Sequence, residues 1–377
     1  MRVFFPLKGA ACVWVAVAVA GCSHLRVPEM RWPEVSWPWR AAEPAEALRQ
    51  KAESGDPASQ YSLGFSLLYG EGQPRNAEQG LGWLRKSAES GYAMAQSSLG
   101  LLLLKGMSDV PKDEAEAAKW LEKAAQQGSV VAQSSLGALL LSKDSGVRDP
   151  EAGVVWLKRA AGQGDVTAQL ALGLMYHKGY VVAQNDEESV RWYRKAAAQN
   201  NVEAQTQLGI ACYRGKGTEQ SFPEALGLFT AAAAAGSAKA MSNLGVMAAK
   251  GEGVPKDEAA AVGWFRKAAE LGDDDGQSNL GAAYFKGVGV GQDHAAALKW
   301  FKAAAEQGHA MAQFRLGYMY ARGEGVPADA FAAFGNRGQY VVIAPSRDIV
   351  IVRRGEDPAG RPFDVAAFAR AVLESLD

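Results

Sequence analysis

The sequence predicts an all-α solenoid of about eight helix-turn-helix repeats, followed by a small C-terminal β-hairpin and one more helix. Three observations predict it. A Leu-Gly pair returns at Gly64, Gly100, Gly137, Gly173, Gly209, Gly245, Gly281 and Gly317, every 36 residues except for one step of 37. A cap-forming residue follows each pair at a nearly constant distance. Beyond Asn336 the helical spacing gives way to two β-branched runs. Self-similarity at such a period marks helical hairpins that cannot bury their apolar sides alone and therefore stack.

The totals agree with packed helices. At 377 residues the chain exceeds one ordinary domain. Its 40 lysines and arginines nearly balance 41 aspartates and glutamates, so no net field favours nucleic acid or an acidic membrane.

In chain order, residues 1–22 read as a targeting segment. Arg2 and Lys8 form a basic start, and the apolar stretch "GAACVWVAVAVA" is too short for a permanent bilayer span. Val19-Ala20-Gly21-Cys22 resembles a bacterial lipobox, which implies a lipid on Cys22 and a new N-terminus there. An ordinary secretory signal with a chance cysteine, giving a soluble periplasmic or secreted protein, is the alternative. Ser23 after the cysteine implies, on the same resemblance, sorting to the periplasmic side of the outer membrane. With Cys12 removed and Cys22 lipidated, Cys212 stands alone, so packing and not disulfides must hold the mature chain. Residues 23–44 read as a tether: Pro28, Pro33 and Pro38 favour an extended spacer. Trp32, Trp37 and Trp39 suit either lipid headgroups or the first repeat.

Residues 45–335 are the repeats. Asn76, Asp113, Asp149, Asn185, Ser221, Asp257, Asp293 and Asp329 stand as N-caps of the second helices. Gln79, Glu116, Glu188 and Glu224 three residues later complete capping-box patterns. Seven residues past the cap, Trp83, Trp120, Trp156, Trp192, Leu228, Trp264 and Trp300 are expected to anchor the helix. Gly91, Gly128, Gly164, Asn200, Gly236, Gly272 and Gly308 then end it in a left-handed conformation. Asp56, Ser129, Asp165, Asn201, Ser237 and Asp273 cap the first helices.

The pattern "LG…Y/L…G-x-G-V-P-x-D…A…W-x-x-A-A-x-x-G" resembles Sel1-like repeats, relatives of the tetratricopeptide repeat. That resemblance implies a right-handed superhelix with the first helices on its concave side, and a role as adaptor or scaffold. The cysteine pair that some secreted members carry in each repeat is missing.

Three columns on the first helices are candidates for contact. Lys105, Lys178, Arg214, Lys250, Lys286 and Arg322 stand at helix ends, either as a ladder for an anionic ligand or as complements of the helix dipole, and the position favours the second. Gln60, Gln96, Gln133, Gln169, Gln205, Gln277 and Gln313 read as structural bridges. The variable column, Ser62, Ser98, Ser135, Ala171, Gln207, Asn243, Asn279 and Arg315, is the better binding candidate, with Gln207, Asn243, Asn279 and Arg315 as its chosen members.

Catalytic and metal chemistry find no support. His24, His177, His294 and His309 form no H-E-x-x-H and no i, i+4 pair, so no metal or cofactor is expected.

Residues 336–377 depart from the repeat. Gln339–Ala344 and Ile349–Val352 read as strands around a Pro345-Ser346-Arg347-Asp348 turn, and Asp364 caps a final helix with Val365, Phe368, Ala369, Val372, Leu373 and Leu376 on one face. "GNRGQYVVIAPSRDIVIVRRG" resembles the end of the serine β-lactamase and penicillin-binding esterase superfamily, with Asn336-Arg337-Gly338 at the place of its Lys-Thr-Gly-like motif. The Ser-x-x-Lys nucleophile of that superfamily is absent, so the expectation is a non-enzyme. Either the tail folds onto the open end of the solenoid, its last helix replacing the missing second helix of repeat eight, or it is a fragment joined by gene fusion or a faulty gene model. The expected function is therefore a non-catalytic envelope adaptor for protein or peptide partners. Cell-wall or β-lactam ligand binding or hydrolysis through the C-terminal segment is the alternative.

Overall fold

A computed structural model describes residues 45–106, 110–322, 324, 331–334, 340–344 and 349–353. Among them are sixteen α-helices and three short strands, and the chain divides into two compact units after Gln199. The leader, the tether and the terminal helix expected from Asp364 lie outside the described residues. No helix among the described residues is long and apolar enough to cross a membrane.

Unit one holds α1 (Ala45–Glu53), α2 (Pro57–Tyr69), α3 (Ala77–Glu89), α4 (Ala93–Lys105), α5 (Glu114–Gln126), α6 (Val130–Leu141), α7 (Pro150–Gly162), α8 (Val166–Lys178) and α9 (Asp186–Ala198). Unit two holds α10 (Val202–Arg214), α11 (Phe222–Ala234), α12 (Ala238–Lys250), α13 (Glu258–Glu270), α14 (Asp274–Lys286), α15 (His294–Glu306) and α16 (Ala310–Arg322). Within each unit an even-numbered first helix pairs with the odd-numbered helix after it, and successive hairpins stack.

Caps fix where these helices start and stop. The side chains of Asp56, Asn76, Asp113, Ser129, Asp149, Asp165, Asn185, Asn201, Ser221, Ser237, Asp257, Asp273 and Asp293 each accept a backbone N–H from the first turn. The terminal Gly91, Gly128, Gly164, Gly236, Gly272 and Gly308 have positive φ, and Asn200 takes the same conformation at φ 61°.

The capping box does not close as expected. The backbone N–H groups of Asn76, Asp113, Asn185 and Ser221 instead reach carbonyls at the end of the preceding helix, as in Asp113 N to Leu103 O at 3.0 Å. With those donors satisfied, Glu116 is free to bond Arg85 at 3.0 Å and the Trp120 indole at 3.2 Å.

The tryptophans are not the deepest anchors either. All six in the repeats are only half-buried. The next residue, Leu84, Leu121, Leu157, Tyr193, Phe229, Phe265 or Phe301, is buried against the first helix. A Cβ placed on the facing Leu-Gly glycine shows how close this packing is. At Gly64 it would lie 2.8 Å from Leu84 Cγ, and at Gly209 2.6 Å from Phe229 Cε1. The tryptophan, one position round the helix, lies at the surface under a cation: Lys86 stands 4.3 Å from the Trp83 centroid, and Lys267 4.6 Å from that of Trp264.

The eighth repeat keeps its first helix, and the described residues where its second would run are not helical. Where Asp329 promised a cap, residues Phe331–Phe334 run as strand β1, beside α16 and antiparallel to β2 (Tyr340–Ala344), which pairs in turn with β3 (Ile349–Arg353). The physical reason is read from the frame. Eight residues past Asp329 stands Arg337, where every complete repeat places the Leu, Tyr or Phe that packs on its glycine. Without that anchor a short helix has nothing to hold it. Residues 345–348 between β2 and β3, and residues 336–338 of the motif, lie outside the described residues.

Candidate partner-binding surface

The site residues chosen from sequence recur at one position of the first helices of unit two. Gln207 on α10, Asn243 on α12, Asn279 on α14 and Arg315 on α16 are all half-buried, each with its backbone fixed in a capped helix. Gln207 Nε2 donates to Glu203 Oε1 at 2.7 Å, and Asn243 Nδ2 donates to Lys239 O at 2.8 Å. The Arg315 guanidinium lies 5.7 Å from the Phe301 ring centroid. The helical bonds hold Gln207 and Asn243 in place. The acceptor oxygens of these amides complement the donors of an extended backbone.

The same column behaves differently in unit one. Ser135 and Ala171 are buried, and Ser98 is buried against the Tyr61 hydroxyl at 3.3 Å. Burial drives the Tyr61 phenol up to about 12, so it is a neutral packing partner. Only Ser62 of the unit-one members is half-buried like those of unit two. The column is thus a surface candidate in unit two and largely interior in unit one.

The glutamine column is structural, as its sequence position implied. Gln96 Nε2 donates to Ala88 O at 2.9 Å, Gln133 to Ala125 O at 3.0 Å, Gln169 to Ala161 O at 3.1 Å and Gln277 to Ala269 O at 3.3 Å. Each thereby ties a first helix to the end of the preceding second helix. A second set of glutamines, not singled out by sequence reasoning, completes the ladder. Gln127, Gln163, Gln199 and Gln307 donate to the amide oxygens of Gln96, Gln133, Gln169 and Gln277 at 2.7, 2.7, 3.0 and 2.8 Å. A signal was present: each stands just before the terminal Gly or Asn. In the sixth repeat both places change together, to Met241 and Leu271.

Two members of the cation column, Lys250 and Arg322, are engaged by neighbouring side chains. Lys250 Nζ stands 3.0 Å from the Tyr213 hydroxyl and 3.7 Å from Glu252, which Tyr213 also bonds. The Tyr213 contact holds the Lys250 pKa above its usual value. Arg322 pairs with Glu324 at 3.8 Å. The last open carbonyls are met by glycine N–H groups, as in Gly251 N to Met247 O at 2.9 Å.

Several other titratable groups are engaged by neighbouring side chains. His177 Nδ1 faces Asp186 at 3.5 Å, and His294 packs edge-on to Phe285 at 5.2 Å. Asp273, Asp274 and Asp275 bring carboxylate oxygens within 4.8 Å of one another. Asp273 is engaged as the α14 cap and by Ser242, and its burial raises its pKa. Asp275 bonds His309, which lowers its pKa. Cys212 is fully buried, as a small apolar residue would be.

Comparison with known proteins agrees with this geometry. The family model for the Sel1 repeat matches residues 57–92, 93–129, 130–165, 166–201, 202–237, 238–273, 274–309 and 310–335. A Sel1 repeat protein from Oxalobacter formigenes, known from its crystal structure, is 38% identical, with a TM-score of 0.62, over 77% of this chain and 87% of its own. A protective antigen present in uropathogenic Escherichia coli strains and displaying an SLR fold is 29% identical over 76% of this chain and 85% of its own, with a TM-score of 0.46. No curated protein matches the sequence. Eight successive matches on seven capped hairpins and a final first helix lead to one assignment: the chain belongs to the Sel1 repeat family.

Proposed function

We propose that this protein is a non-catalytic adaptor that binds protein or peptide partners in the bacterial cell envelope through the first helices of unit two. Sel1 repeat proteins are generally protein-interaction scaffolds and typically lack catalysis. The observation that carries the reading here is the 36-residue recurrence of half-buried polar side chains at Gln207, Asn243, Asn279 and Arg315. Amides at regular intervals suit an extended chain, whose backbone groups also recur regularly.

The envelope assignment rests on the leader and on Cys22, the proposed lipid-attachment residue. It places the protein on the periplasmic side of the outer membrane, held by lipid and facing no nucleic acid. No cofactor enters this reading. Hydrolysis of cell-wall or β-lactam compounds is not proposed, since the chain carries no Ser-x-x-Lys nucleophile.

Chemical cross-linking of the full chain in envelope extracts, compared with the Asn243→Ala plus Asn279→Ala variant, tests the surface. Partners recovered by the native chain and lost by the variant support it. Equal recovery by both proteins removes the proposed surface. Labelled-lipid incorporation into the native chain, absent from Cys22→Ala, tests the anchor independently.

A further inference from the structure

The net charge of the chain is nearly zero, but in unit one the charge is sorted. Each second helix there starts acidic and ends basic: Glu78 and Lys86 on α3, Glu114 and Lys123 on α5, Glu151 and Arg159 on α7, Asp186 and Lys195 on α9. Equivalent positions fall in line when hairpins stack, so the basic ends form one band. Every cation in it stands over the tryptophan three residues earlier. Lys86, Lys123 and Lys195 lie 4.3 Å from the centroids of Trp83, Trp120 and Trp192, and Arg159 lies 4.5 Å from that of Trp156. One edge of each ring packs on a buried cluster, as Trp83 does on Ala52, Leu63 and Leu67. The rings are half-buried and the cations exposed.

Among the described residues none of these four cations pairs with a carboxylate. Their neighbours Arg85 and Arg191 do, with Glu116 at 3.0 Å and Glu188 at 2.8 Å. A cation at a helix end offsets the helix dipole, which accounts for the charge but not for the ring beneath it. Ring and cation are also lost together: α11 carries Leu228 and Ala231 at the two places. The uninterrupted run of four belongs to unit one. A cation held on an indole puts positive charge directly above an apolar ring. That pairing is complementary to the headgroup layer of an anionic bilayer, where tryptophan takes the interface and lysine and arginine meet phosphate.

We propose that the four tryptophan–cation pairs of α3, α5, α7 and α9 form a docking surface for anionic phospholipid headgroups. This surface is separate from the partner column of unit two, and it rests on the envelope reading only for the supply of such lipid. Lysine acetylation of the full chain, free and with added vesicles, tests it. With phosphatidylglycerol vesicles Lys86, Lys123 and Lys195 are expected to react at least about threefold more slowly, while Lys250 and Lys286 of unit two keep their rates. Phosphatidylcholine vesicles are expected to give no protection, although a leader or lipid anchor would hold the chain to both kinds alike. Raising salt from about 0.1 M to about 1 M shortens the Debye length from about 10 Å to about 3 Å and is expected to abolish the protection. Arg159→Glu, an exposed change in the middle of the row, is expected to weaken protection at Lys123 and Lys195. Four results overturn the proposal: full reactivity of the three lysines on phosphatidylglycerol, equal protection by both lipids, equal protection of Lys250 and Lys286, or equal protection by soluble polyglutamate at matched charge. The last would make the band a site for soluble polyanions, with no need of a membrane.

Discussion

Gly245 and Phe265 meet so closely that a Cβ on Gly245 would lie 2.5 Å from Phe265 Cε1. This contact joins α12 to α13, and its counterparts join the two helices of every complete hairpin. Gly245→Ala is therefore expected to destabilise unit two by about 1–3 kcal/mol, because the ring must leave its rotamer or the helices must part. Gly263, in the interior of α13, has nothing within 4 Å of the same added atom. Gly263→Ala is expected to stabilise by up to about 1 kcal/mol through helix propensity alone. Urea unfolding of the two variants checks the pair, and a loss in both would contradict the close-packing account.

A second prediction separates the two aromatic columns. Phe265 is 7% exposed, while Trp264 beside it is half-buried under Lys267. Phe265→Ala is expected to cost about 3–5 kcal/mol by opening a cavity on Gly245. Trp264→Ala is expected to cost clearly less, since part of that ring already meets water and its cation contact is worth only about 0.5–1 kcal/mol. Comparable losses by calorimetry would restore the tryptophan as anchor.

Much of this was legible because repetition turns one ambiguous residue into a column. Asp113 alone is an acid near a helix, whereas seven cap-forming residues at one phase, from Asn76 to Asp293, mark helix starts. Direction was harder to read than position. Trp and the residue after it are both large and apolar, and only the approach of Gly245 to Phe265 decides which one faces inward. The capping box failed for a similar reason: Asp113 N–H finds Leu103 O through the tight turn between helices, which local spacing does not reveal. For the binding column, sequence named Gln207 and Asn243 by variability. It did not foresee that Ser135 and Ala171 at the same phase are interior.

The glutamine ladder yields a third prediction, with opposite signs at two positions. Gln127 donates both to Gln96 Oε1 at 2.7 Å and to Gly91 O at 3.1 Å. Gln127→Ala leaves the buried Gln96 oxygen without that donor and is expected to destabilise by about 1–3 kcal/mol. In the first repeat the equivalent place is Ser90, too short to reach, and Gln60 Oε1 is buried with no partner. Ser90→Gln is expected to add the missing rung and stabilise by about 0.5–1.5 kcal/mol. Thermal unfolding of both variants checks this, and a loss on Ser90→Gln would show that the rung depends on more than reach.

His309 gives the fourth prediction, a pH dependence with a definite sign. It caps α16, accepting the Ala312 N–H on Nδ1 at 3.1 Å, while Nε2 stands 3.3 Å from Asp275 Oδ1. Asp275, and more weakly Asp274, raise the His309 pKa above its ordinary 6.5 against the opposing effect of burial. His309 in turn, with Lys239 and Arg214, lowers that of Asp275 below 3.8. A raised histidine pKa stabilises fully below the unfolded value and is lost as pH rises through the folded one. The lowered Asp275 pKa contributes above the ordinary carboxylate value and is lost as pH falls through its own folded value. The pair therefore works best between these limits and weakens on the alkaline side. The cap bond needs the lone pair on Nδ1, which opposes protonation there and keeps the gain small. His309→Asn retains a cap acceptor and removes the titration. Urea midpoints between about pH 6 and about pH 8 are expected to fall more steeply for the native chain than for the variant. Parallel profiles would show that Asp275 and His309 are neighbours without a charged coupling, leaving the cap as the only work that ring does.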